Sequence, residues 1–88
     1  MAWLTEKTRA MALREPYHEY VLVANPLRHR GRWIARIIIE LHEHGAVHFQ
    51  RVCDDPFVTY PSREEAERAS IEFGKTILDS RRAARAAP

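Results

Sequence analysis

Four residues with metal-binding or acid–base potential fall close together: Glu40, His42, His44 and His48. If Trp33 to His42 is an extended strand and Val47 to Cys53 its hairpin partner, Glu40 lies opposite His48. His42 then follows Glu40 on the same face, and His44 sits in the turn. A zinc or nickel ion needs three or four such ligands converging at about 2 Å. The spacing of Glu40, His42 and His48 permits that geometry, and a solvated Glu–His cross-strand pair uses the same residues. The expectation is no bound metal, with Glu40, His42 and His48 as weak candidates.

A second cluster is cationic. Arg28, Arg30, Arg32 and Arg36 have no acid between them, and Trp33 lies beside them. Guanidinium groups bind phosphate through a rigid fork, and an aromatic ring can stack on a base. The pattern therefore allows a nucleic-acid contact. Trp33 shares its parity with the apolar positions of its strand, however, which turns it toward a core. Twelve of the fourteen basic residues are Arg, yet the net charge is only +2, so overall charge does not single out a polyanionic partner.

Catalytic chemistry has less to work with. Cys53 falls on the core-facing parity, where a thiol acts as a small apolar group. The adjacent Asp54 and Asp55 disfavour a thiolate, and they precede Pro56 as turn formers would. Gly31, Gly45 and Gly74 are too scattered to cradle a phosphate. The sequence predicts no enzyme activity and implies no cofactor. A single cysteine rules out a disulfide-stapled secreted fold. No apolar run suits a signal peptide or a membrane span, so the expected compartment is the cytoplasm.

The elements that must position these groups follow from periodicity. At 88 residues the chain suits a single domain, residues 1–88, with an ordered part over 17–80 and a frayed tail over 83–88. Residues 2–14 read as a helix ended by Pro16. Tyr17 to Asn25 reads as a strand, Trp33 to His42 as a second, and Val47 to Cys53 as a third. Pairing Leu41 with Val47 and Ile39 with Phe49 leaves Glu43-His44-Gly45 as a three-residue loop. The last helix starts at Ser62, with Glu65 at capping-box spacing and a stripe of Ala66, Ala69, Ser70, Phe73, Ile77 and Leu78. Gly74 and Ser70, one turn apart, predict close packing of this helix on the sheet. The fold class is thus α+β, an α-β-β-β-α order with a three-stranded antiparallel sheet. The predicted core is Trp33, Ile37, Ile39, Leu41, Val47, Phe49, Phe73 and Ile77.

Gly31-Arg32-Trp33 with its Ile-rich strand, Phe49, Tyr60-Pro61-Ser62-Arg63-Glu64-Glu65-Ala66 and Phe73-Gly74-Lys75 together resemble a group of short uncharacterised proteobacterial proteins. The resemblance covers residues 17–80 and implies a fold and a bacterial source without an activity. The α-β-β-β-α order, with Ser62 to Ala69 opening the last helix, is also similar in layout to double-stranded RNA-binding domains. That family grips phosphates with lysines at the start of this helix, where this chain has Arg63, Glu64 and Glu67.

Ile34, Ile38 and Val52 place aliphatic groups on the sheet face away from the core. An apolar patch in that position is an association site. The expected function is therefore a small non-enzymatic module for protein interaction or self-assembly, with a homodimer as one form. Contact would run through Ile34, Ile38 and Val52. The alternative is nucleic-acid binding through Arg28, Arg30, Arg32 and Arg36.

Overall fold

A computed structural model describes residues 13–86. Five strands precede one helix: β1 (Arg14–Tyr17), β2 (Tyr20–Ala24), β3 (Leu27–His29), β4 (Arg32–Glu43), β5 (Ala46–Tyr60) and α1 (Arg63–Ala86). All strand pairing is antiparallel. This corrects the three-stranded α-β-β-β-α expectation. The expected N-terminal helix lies mostly outside the described residues, and its last residue, Arg14, instead opens β1. Pro16 is tolerated there because β1 is an edge strand, where a missing N–H breaks no ladder.

The sheet is a four-lane meander. β2 and β3 lie end to end along one side of β4, and Asn25-Pro26 interrupts them without changing register. Ala24 faces Ile37, and Leu27 faces Ile34. β1 flanks β2, and β5 takes the other side of β4. Arg30 and Gly31 both have positive φ, as do His44 and Gly45. Left-handed residues at both central positions match the right-handed twist of the flanking strands, so each pair makes a tight two-residue hairpin. The three-residue loop over residues 43–45 is thereby corrected to His44-Gly45.

The β4–β5 register is corrected as well. Leu41 faces Phe49, Ile39 faces Arg51 and Ile37 faces Cys53. Along this stretch the shift from the expected pairing is two residues, which keeps Arg51 and Cys53 on their predicted face, whereas the bulge at His48 sets Val47 opposite His42, on the other face. The odd positions of β4 do turn inward: Ala35, Ile37 and Ile39 are buried. Ile37 and Ile39 cluster with Leu22 and Ala24 of β2 and Ile71 and Leu78 of α1, with Phe73, Ile77 and Cys53 packed around them. Trp33 and Leu41 are only half-buried, and Val47, expected in the core, is 51% exposed.

The helix begins as its sequence predicts. The Ser62 hydroxyl accepts the Glu65 N–H at 3.2 Å. Acidic side chains in the first turn and Arg85 in the last complement the helix dipole. Gly74 and Ser70 are the point of closest approach. A Cβ at Gly74 would lie 2.9 Å from Ile37 Cγ1 and 3.0 Å from Leu22 Cδ2.

Candidate interaction surface

β5 is the longest strand, and two irregularities divide it. Leu41 faces Phe49 and His42 faces Val47, which leaves His48 as an extra residue. Ile34 faces Thr59 but Ala35 faces Asp55, which leaves Pro56, Phe57 and Val58 without partners on β4. Between these bulges, residues 49–55 run in unbroken register with β4. Asp55 shapes the second bulge: its carboxylate accepts the Phe57 N–H at 3.3 Å. Phe57 projects from it, 93% exposed. Asp54 and Asp55, expected in a turn, are strand residues.

The backbone of the regular stretch has a definable direction. The Arg36 carbonyl accepts the Asn25 N–H at 2.9 Å, so Arg36 turns its main-chain groups toward β2 and β3. Alternation along an antiparallel ladder then turns Ala35, Ile37 and Ile39 toward β5, where they meet Asp55, Cys53 and Arg51. The intervening Gln50, Val52 and Asp54 present their N–H and C=O groups to the outer edge. Among the described residues no strand pairs with that edge.

The predicted contact residues Ile34, Ile38 and Val52 do share the face opposite α1. Ile38 faces Val52 on one side and Val23 on the other, and Ile34 lies two pleat repeats further along β4. They differ in access. Ile34 is only 9% exposed and Ile38 half-buried, whereas Val52 is 54% exposed; Val47, Phe57 and Val58, elsewhere on β5, are exposed too. Sequence reasoning missed Phe57 and Val58, because the bulge that ejects them depends on where β5 rejoins β4.

The arginine cluster is dispersed by the pleat. Arg28 faces Trp33 on the helix side, and its guanidinium carbon lies 6.0 Å from the Trp33 ring centre. Arg63 of α1 lies 5.7 Å from the same ring, so two cations already occupy the indole. Arg32 belongs to the opposite face and donates to the Thr59 hydroxyl at 2.7 Å. Arg30 is in the turn. Arg36 is half-buried, its Nε donating to the Asn25 carbonyl at 2.9 Å, which removes it from the exposed cluster.

The hairpin histidines do not converge. His42 Nε2 lies 2.8 Å from Glu40 Oε1, and Arg14 Nη2 lies 3.0 Å from the same oxygen. Gln50, not His48, faces Glu40, and His48 instead contacts the Glu43 carbonyl at 3.2 Å. Among the described residues no group of three His, Cys, Asp or Glu side chains is placed to hold a metal ion. No helix there is long and apolar enough to cross a membrane. Compared with family models, curated proteins and solved structures, the chain matches none.

Proposed function

We propose that this protein is a small non-enzymatic module for protein interaction or self-assembly, working in the cytoplasm, whose contact surface is the outer edge of β5. The observation that carries this reading is the outward-facing backbone of Gln50, Val52 and Asp54, set among exposed Val47, Val52, Phe57 and Val58. An open strand edge recruits an extended segment through main-chain hydrogen bonds, and flanking side chains supply selectivity. Ile38 and Ile34 back Val52 on the same sheet face.

The edge can be tested by backbone chemistry. Val52→Pro deletes an N–H that faces outward, a position where an edge strand tolerates proline. Displayed extended peptides selected on the wild-type protein should lose binding to this variant while its far-ultraviolet circular dichroism is unchanged. Peptides that bind both proteins equally would overturn the edge reading. Binding of a short RNA duplex that falls steeply with salt and requires Arg28, Arg30 and Arg32 would move the function to nucleic acid.

A further inference from the structure

We infer that the segment fitting the β5 edge is the same segment of a second copy, paired antiparallel about a two-fold axis through Cys53. This rests on the β5 edge being the contact surface and adds its partner and its register. A two-fold axis perpendicular to the sheet joins two edges antiparallel and keeps both helices on one face. Facing residues must then share parity, so only a few registers are available.

Charge selects among them. An axis at Arg51 sets the two Arg51 side chains opposite each other, and an axis at Asp54 does the same for two carboxylates; like charges directly opposite are destabilising. An axis at Val52 leaves Arg51 facing Cys53. An axis at Cys53 places Arg51 of each copy directly opposite Asp55 of the other, forming two equivalent cross-strand ion pairs. Residues 51–55 lie wholly inside the regular stretch of β5, so neither bulge obstructs them. Arg51 is exposed and Asp55 half-buried. The outward main-chain groups of Val52 then meet those of Asp54 on the other copy.

The same register fixes the relation of the two Cys53 residues. Cys53 directs its main-chain groups to Ile37, so across the new edge the two cysteines form a non-hydrogen-bonded pair. The Cα atoms of such a pair lie about 4.5 Å apart, within the range a disulfide spans. Cys53 is the only cysteine and is partly exposed, so it reports on the axis without an engineered label.

The experiment uses the full chain in sedimentation equilibrium. Arg51→Glu sets Glu opposite Asp55, and Asp55→Arg sets Arg opposite Arg51, so each variant alone should dimerise about tenfold more weakly than wild type. Mixing the two variants restores both opposite-charge pairs, and the mixture should regain wild-type dimerisation. With diamide as oxidant, two Cys53 thiols give up two protons and two electrons to form one disulfide. This should proceed faster for the folded protein than in denaturant. A wild-type monomer at all concentrations, a mixture no tighter than its components, or crosslinking no faster when folded would overturn the inference. Peptide binding that still depends on Val52 in a monomeric protein would discard the second copy while leaving the edge as the contact surface.

Discussion

Ser70 resolves a hydrogen-bonding problem in the middle of β4. At the break between β2 and β3, the Asn25 carbonyl accepts the side chain of Arg36 rather than its backbone N–H. The displaced Arg36 N–H is accepted by Ser70 Oγ at 3.0 Å, and the same hydroxyl donates to the Ala66 carbonyl at 2.6 Å. Ser70 is fully buried, so water does not substitute for it. Ser70→Ala leaves the Arg36 N–H without a partner and should destabilise the fold by about 1–3 kcal/mol. Urea denaturation measures this loss, and faster hydrogen exchange at the Arg36 amide would place it. The smallness of Ser70 is legible in the sequence, since it sits on the apolar stripe one turn from Gly74. Its bonding is not legible, because it depends on a strand break distant in sequence. The β4 face assignment was readable for the opposite reason: alternation is a local property of one strand. The β4–β5 register is not legible in that way, because a two-residue slip keeps apolar residues on the same face: pairing Leu41 with Val47 satisfies the pattern as well as pairing it with Phe49.

At the scale of elements, the helix and the central strands were legible, while the edges were not. The Ser62 cap, the apolar stripe and the Gly74 approach to Ile37 all follow from short-range patterns that packing then reinforces. β1 is short, carries Pro16 and follows a run of good helix formers, so local propensity pointed the other way. The second half of β5 contains Asp54-Asp55-Pro56, ordinarily a turn signal, and the bulge absorbs it without ending the strand. The helix–sheet contact gives a sharp test. In an open helix, replacing Gly by Ala is stabilising by about 1 kcal/mol. Here the new methyl meets Ile37 Cγ1 at 2.9 Å, close to the root of a stiff β-branched side chain. Overpacking of about 1–3 kcal/mol should outweigh the propensity gain. Gly74→Ala is therefore expected to lower the thermal midpoint, and a rise would mean that α1 sits further from the sheet.

The whole molecule treats its two sheet edges differently. The β1 edge is short and tied to α1: Tyr17 donates to Asp79 at 2.6 Å, and Lys75 pairs with both Glu15 and Glu72. Arg82 approaches Glu19 at 3.7 Å. The β5 edge is long, apolar in part and unpaired among the described residues, which is why it is the edge proposed for association. The β1 ties have a defined pH dependence. The hydrogen bond to Asp79 raises the Tyr17 hydroxyl above its ordinary value of 10.0, and the bond to Glu15 raises the Lys75 ammonium above 10.5. A raised value in the folded state means that the protonated form is favoured there. The contribution is fully present below the ordinary values and is lost as pH rises through the folded ones. Both groups are solvent-accessible, so the effect is small and weakened by salt. The thermal midpoint should fall as pH climbs above 10, and Tyr17→Phe should reduce that fall, because this variant lacks the hydrogen bond at every pH. Hydrogen exchange should show β1 opening before β4 under these conditions. An alkaline fall unchanged by Tyr17→Phe would mean that the Tyr17–Asp79 bond does not hold the β1 edge.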